Sequence, residues 1–334
     1  MSKYTIAIDA MGGDDVPRIP VEAGVIAAKE YGVGIILVGD ENAINNELSK
    51  FKTDSLEIRV VHAEDVIAEG EHPALALRRK PGSSIMLTIG LVKAGTAHAA
   101  ISMGSTGATM AASVFALGLF DGLERPTLGG PFIGLAPKTT IIDLGANVDC
   151  KPSQLVNFGA LGASFERFYH KMEDPRVGLL SVGSEDGKGN KQVQEAFPLF
   201  QSSGLNFVGN IEPHEIFAGK ADVVVCDGFV GNVLLKYTEG LAAAAGHFLA
   251  SKLGNDSPAV SAIAGLAGAA EGGGGPLFGI NGVVIAGHGR SSANSIAGSV
   301  LLAKQVMDAN FVETMREDLA RVMARTREDS NGKP

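Results

Sequence analysis

Short apolar runs, each closed by Asp, Gly, Ser or Asn and each followed by a stretch of helical periodicity, recur along the whole chain. That alternation predicts an α/β protein with a mostly parallel sheet, because parallel neighbours need a crossover and a helix is the usual one. Strands are expected at Tyr4–Ile8, Ile35–Val38, Ile58–Val61, Ala99–Ser102, Thr139–Ile142, Val177–Ser181, Val223–Cys226 and Val283–Ala286. Their apolar residues run on without alternating, as in strands covered on both faces.

Helices are expected over Pro20–Tyr31, stopped by Gly32, from a Ser83 or Ser84 cap to Lys93, over Gln154–Tyr169 and over Ala293–Asp308. No Asp, Glu, Lys or Arg occurs between Ala94 and Phe120. That stretch is long enough to span a bilayer, but SMGSTGAT in its middle predicts a strand, a polar turn and a buried helix. The segment from Leu241 to Gly275 is rich in Ala and Gly and contains Pro258, which predicts two loosely packed helices followed by a flexible GGGG turn.

Composition narrows the picture. The 334 residues show no linker, so one compact unit with two lobes over 1–330 is expected, fraying after about Thr326 into a tail at 331–334. With 45% apolar residues, 44 Gly and 19% charged residues, the chain reads as globular with many tight turns. A net charge of -9 argues against nucleic acid as a partner, since duplex binding relies on many phosphate-neutralising cations. Cys150 and Cys226 lack metal-ligand spacing and scaffold density, which points to a reducing cytoplasm and leaves a disulfide between them open. The amino terminus has too short an apolar run for a secretory signal.

Ligands of an open parallel sheet sit beyond the carboxyl ends of its strands. Six loops at those positions combine glycines with small polar residues: Asp9–Asp14, Ser102–Gly107, Asp143–Asn147, Gly183–Asn190, Asp227–Asn232 and Gly287–Ser292. Any one alone is ordinary turn and cap chemistry. Six together point to an anion such as phosphate held by backbone amides at helix starts. The Gly183–Asn190 loop departs from a Walker A motif, no G-x-G-x-x-G follows the first strand, and the Gly289–Ala293 stretch lacks the last glycine of a nucleophile elbow. ATP, NAD and a covalent serine are therefore unsupported. His288 stands out among seven histidines because it lies between two glycines at a strand end, and Lys188 because its loop is flanked by glycines. Arg78, Arg79 and Lys80 form the one run of three consecutive basic residues, a landing patch for an acidic partner.

Taken in order, IAIDAMGGD, ALRRKPGSSI, STGATMA, DLGANVDCKP, GSEDGKGN, ADVVVCDGFVGNVLLK and GPLFGINGVVIAGHGRS resemble the PlsX phosphate acyltransferases over Tyr4 to Lys304. The sequence departs from that pattern at Ser105, where Asn is usual, at Gly272, where an aromatic residue is common, and in HGRSS, where HGSSD is frequent. The resemblance implies a three-layer α/β/α sandwich related to phosphotransacetylases and to isocitrate and isopropylmalate dehydrogenases. It implies a homodimer without metal or other cofactor that makes acyl-phosphate from an acyl carrier protein thioester and inorganic phosphate. It also implies peripheral contact with the inner face of the membrane, and hand-off to a membrane glycerol-3-phosphate acyltransferase.

On that reading Lys188, Asn190 and the amides around Ser105, Thr106 and Gly107 hold phosphate, and Asn232 or the Gly228 to Gly231 amides donate to the oxyanion. His288 protonates the leaving thiolate or orients phosphate. Asp9, Asp143 and Asp227 fix loops, with one of them available as a base. Gly12, Gly13, Asn147, Gly289 and Ser291 complete the candidate site, and Arg78, Arg79 and Lys80 dock the carrier. Two other readings stand beside it: a phosphotransacylase acting on acyl-coenzyme A, and a non-catalytic regulator that binds acyl-phosphate or the carrier.

Overall fold

The computed structural model describes residues 2–132, 136, 138–263 and 274–331, with side chains as far as 326. The chain divides into two compact units, each discontinuous in sequence: Met1–Phe120 with Glu271–Val312, and Asp121–Ala270 with Glu313–Pro334.

The first unit holds strands β1 (Thr5–Asp9), β2 (Gly34–Gly39), β3 (Ile58–His62), β4 (Ala99–Ser102), β10 (Gly275–Phe278) and β11 (Val283–Ala286) in the order β3-β2-β1-β4-β11-β10. All neighbours run parallel except β10 with β11. Its helices are α1 (Arg18–Tyr31), α2 (Glu41–Leu48), α3 (Pro73–Arg79), α4 (Ser84–Lys93), α5 (Thr106–Leu117) and α10 (Ala293–Asp308). Period-two alternation sorts the side chains to two covered faces. Gly24 of α1 lies against Ile8, Ile35 and Leu37, whereas Ala7, Ile36 and Val38 face the opposite way and cluster with Leu87 and Leu91 of α4. Gly32 ends α1 in the left-handed conformation, φ 63°, that glycine adopts without steric penalty.

The chain builds β1, β2 and β3 outward on one side, then returns to place β4 on the other side of β1. That reversal opens a crevice at the carboxyl ends of β1 and β4, where an open sheet of this kind binds its ligand.

The second unit carries β5 (Thr127–Pro131), β6 (Thr140–Ile142), β7 (Arg176–Leu180), β8 (Asn206–Ile211) and β9 (Val223–Val225), ordered β5-β6-β9-β7-β8 and parallel apart from β5. Helices α6 (Pro152–Tyr169) and α7 (Lys191–Ser202) cover one face. On the other face Ile216 of α8 (Pro213–Phe217) and Leu235 of α9 (Gly228–Leu253) join Ile141, Leu180, Ile211 and Val224 in one buried cluster. Helix α11 (Phe311–Asn331) belongs to this unit from Glu313 onward.

All eight strands expected from the sequence are present and all lie in the parallel ladders. The three that sequence reading missed are β5, β8 and β10. Two of them, TLGGP and GPLF, carry glycine and proline that read as turns, and both run antiparallel, with Gly129 leaving room for Ile142. Helix α5 is half-buried instead of buried, since Phe115 is 79% exposed. The Ala-rich stretch prolongs α9 back to Gly228, and a further helical stretch covers 258–263, whereas Gly272 and Gly273 of the GGGG turn lie outside the described residues. Helix α11 continues to Asn331, past the point where fraying was expected, and 332–334 lie outside the described residues. Among the described residues no helix is long and apolar enough to cross a membrane.

Gly162 marks how tightly α6 sits on its sheet: a Cβ there would lie 2.6 Å from Val223 Cγ1 and 3.0 Å from Ile142 Cγ1. Gly162→Val is expected to overpack this contact and lower stability by about 2–3 kcal/mol, read as a lower urea midpoint at unchanged slope. An unchanged midpoint would contradict the packing described.

Candidate functional site

In the first unit the crevice is a cavity of about 350 Å³. Its floor is the Asp9 carboxylate, buried at the end of β1. Oδ2 accepts the Ser102 hydroxyl from the end of β4 at 2.8 Å, and Oδ1 accepts the Met11 amide at 3.2 Å. Burial pushes the Asp9 carboxyl up, against the pull of Ser84, Ser102 and the Met11 and Gly12 amides. Gly12 lets the β1 loop pass over β4: a Cβ there would be 2.7 Å from the Gly104 nitrogen and 2.8 Å from Asp9 Oδ2. The Asp14 amide donates to the Gly289 carbonyl at 3.0 Å, joining the β1 loop to the loop after β11. Ser105 caps α5 by accepting the Ala108 amide at 3.4 Å, which leaves the Thr106 and Gly107 amides at the head of the helix with no carbonyl one turn earlier to bond. The result is an acidic, hydrogen-bonded floor beside a helix amino terminus, an arrangement suited to a protonated oxyanion such as hydrogen phosphate.

His288 is exposed on the loop that supplies Gly289, and its carbonyl accepts the Ser291 amide at 3.0 Å. The Ser291 hydroxyl is buried. Arg78 and Arg79 are exposed at the end of α3, but Lys80 is tied down, its ammonium 2.6 Å from Glu71 and 2.8 Å from the Val66 carbonyl. The basic patch open to a partner is therefore two residues instead of three.

The second unit repeats the device with Asp143, at the end of β6. Its carboxylate is fully buried and accepts the Gly145, Ala146 and Asn147 amides at 2.7–2.9 Å. The Asn147 side chain donates to Asp143 at 2.7 Å and to the Pro126 carbonyl at 2.8 Å, so both its N–H groups hold the loop. The Gly228 amide donates to the Asn147 carbonyl and the Gly231 amide to Asp227, so neither is directed at a substrate carbonyl. Asp227 caps α9 through the Val230 amide at 2.8 Å. Asn232, on the same first turn, lies beside Gly145. A side chain at Gly231 would run into the Asp143 carbonyl, so α9 starts as close to the β6 loop as backbone permits.

Lys188 is exposed, and its stem lies against Gly183. Asn190 caps α7 through the Val193 amide at 2.9 Å. The loop that carries them is held by Gln194, which donates to the Gly187 and Gly189 carbonyls at 3.0 Å, and by Asn210, which donates to the Glu185 carbonyl at 2.8 Å. Neither residue carried a sequence signal, because both act from neighbouring elements. Ser84 and Ser102 were legible only as a cap and a strand end. Cys150 and Cys226 are free and buried, and burial, reinforced by Asp143 and Asp227, pushes the Cys150 thiol up to about 12. They are not nucleophiles.

A protein-family model described as Fatty acid synthesis protein matches residues 4–314. The phosphate acyltransferase of Pelotomaculum thermopropionicum is 43% identical over 324 residues, covering 94% of each chain. Among solved structures, a phosphotransacetylase from Streptococcus pyogenes superposes with a TM-score of 0.58 at 18% identity, over 91% of this chain and 94% of that one. The EutD phosphotransacetylase from Staphylococcus aureus gives 0.53 at 18% identity, over 94% of each. At that identity the likeness is one of fold.

Asp143 yields a test of the electrostatics. Burial outweighs its N–H donors and pushes the carboxyl up to about 6 from an ordinary 3.8. Between those values the folded chain retains a proton that the unfolded chain has released, so this group's contribution to stability is present at low pH and is lost as pH rises through about 6. The difference in unfolding free energy between wild type and Asp143→Asn is expected to decline by up to about 3 kcal/mol from pH 4 to pH 7. A difference that stays flat across that window would contradict the burial argument.

Proposed function

The chain belongs to the Fatty acid synthesis protein family, whose curated relatives are phosphate acyltransferases, and from that premise we propose that it forms acyl-phosphate from an acyl carrier protein thioester and inorganic phosphate for phospholipid synthesis. It is an acyltransferase. The observation that carries the finer reading is the first unit's cavity, lined by a buried carboxylate and by Ser105, the cap from which α5 starts.

Hydrogen phosphate sits at the head of α5, against the Thr106 and Gly107 amides, and donates its own O–H to Asp9, which lines the cavity. Asp9 takes that proton as the phosphate oxygen attacks the thioester carbonyl. The carbon–sulfur bond then breaks, acyl-phosphate forms, and His288, on the loop of Gly289, protonates the departing thiolate. No enzyme nucleophile is needed, because phosphate is already competent and the barrier falls through positioning and preorganised donors. In the second unit Lys188 and Asn190 are assigned to anion contact. Asp143, Asn147 and Asp227 hold their loops.

Arg78 and Arg79 offer an acidic carrier protein an exposed basic contact. The exposed row Phe229, Val233, Tyr237 and Leu241 on α9 supports a homodimer built on that helix, since soluble monomers rarely show such a stripe to water. Product passes to a membrane glycerol-3-phosphate acyltransferase through peripheral contact with the cytoplasmic face.

Incubating the protein with phosphate and a long-chain acyl carrier protein thioester, and trapping product as hydroxamate, is expected to give phosphate-dependent acyl-phosphate. Lys188→Ala is expected to lower turnover about hundredfold with the fold intact. Preference for acyl-coenzyme A in a parallel reaction would replace the carrier as substrate, and near-normal turnover by Lys188→Ala would remove that lysine from the site.

A further inference from the structure

The second unit has another cavity, about 210 Å³ in volume, at the opposite edge of its sheet from the loops just described. Asp174 and Pro175 lead into the amino end of β7, Asn206 begins β8, and both border it. Three arginines converge there: Arg167 from α6, and Arg321 and Arg325 from α11. Asp318, Arg321 and Arg325 share one face of α11 through three- and four-residue spacing.

The charges do not balance. Asp318, only 4% exposed, accepts Arg167 at 2.7 Å and also Arg321, so one carboxylate serves two guanidiniums. Asp174, the other carboxylate at the cavity, accepts the Asn206 side chain at 2.9 Å. Among the described residues no carboxylate pairs with Arg325. Its guanidinium lies over Gly204, where any side chain would collide with it. The carboxyl end of α7, just before Gly204, offers that cation a favourable dipole but no full counter-charge. Three guanidiniums facing two carboxylates around one hollow, in a chain of net charge -9, form a local exception to the surface.

We propose that this cavity is a second anion site, separate from the acyl-transfer site, which takes the phosphate group of a small phosphate monoester. A guanidinium fork matches two phosphate oxygens at once, and Arg167 and Arg321 are already fixed by Asp318, so ligand binding need order only Arg325. The volume is below that of pockets enclosing drug-sized ligands and suits a phosphate on a short carbon chain. Bound there, the ligand bridges α6 and α11.

Calorimetric titration of glycerol 3-phosphate into the full chain tests this, with inorganic phosphate and glycerol as separate arms. Wild type is expected to bind glycerol 3-phosphate saturably, more tightly than inorganic phosphate and with no signal from glycerol, and to gain thermal stability from it. Arg325→Ala, which leaves both Asp318 ion pairs in place, is expected to bind about tenfold more weakly and to retain wild-type acyl-phosphate formation, while Arg325→Lys falls between. Absence of saturable binding up to about 10 mM, or equal binding by wild type and Arg325→Ala, would overturn the site. An Arg325-dependent component of inorganic phosphate binding that is tighter than that of the ester would overturn the monoester as its ligand.

Discussion

Ser102 donates its hydroxyl to Asp9 at 2.8 Å with both groups buried, and this bond joins the ends of the two strands between which the first sheet reverses its order. Asp9 also accepts the Met11 amide at 3.2 Å and Ser102 the Gly104 amide at 3.2 Å, so this small network ties the two strand ends and the first residues of their loops together. The Gly12 approach to Gly104, the Asp14 bond to Gly289 and the position of the α5 amino terminus all follow from that tie. A buried carboxylate in such a place is expensive to ionise, and burial pushes the Asp9 carboxyl up from its ordinary range.

The second unit uses the same economy with different partners. Asp143 gathers three consecutive amides and a side-chain amide, and the loop it shapes carries the start of α9 against it. Asp9 lines a cavity and accepts the Ser102 hydroxyl and the Met11 amide, whereas Asp143 accepts three amides and the Asn147 side chain of its own loop. The two aspartates look alike in sequence, each closing an apolar strand before a glycine-rich turn, yet one borders a cavity and the other is enclosed by its own loop. The difference lies in the number of amides that fold back onto each, which only the three-dimensional path of the loop determines.

That contrast also marks what was legible in the chain. The parallel strands were readable because residues such as Ile35–Val38 and Val223–Val225 are apolar on both faces, a pattern imposed by helices above and below. Strands β5 and β10 were not, because Gly129, Gly130, Pro131 and Pro276 break local propensity and are tolerated only through tertiary contact. The six loops were found by their glycines and strand-end positions, but the sequence could not show that the Asn147 side chain and the Gly228 and Gly231 amides are consumed internally, or that Glu71 neutralises Lys80. Gln194, on the helix that follows the Lys188 loop, and Asn210, from β8, hold that loop through side-chain amides that gave no signal of their own.

The most direct measurement is the steady-state rate of acyl-phosphate formation by Asp9→Asn as phosphate is varied, with the urea midpoint recorded beside it. Asparagine keeps the size of the side chain and an acceptor for Ser102 but cannot take a proton from phosphate. The account predicts a fall in kcat of about hundredfold or more in a chain that still unfolds cooperatively. A folded Asp9→Asn protein with near-normal kcat would contradict it.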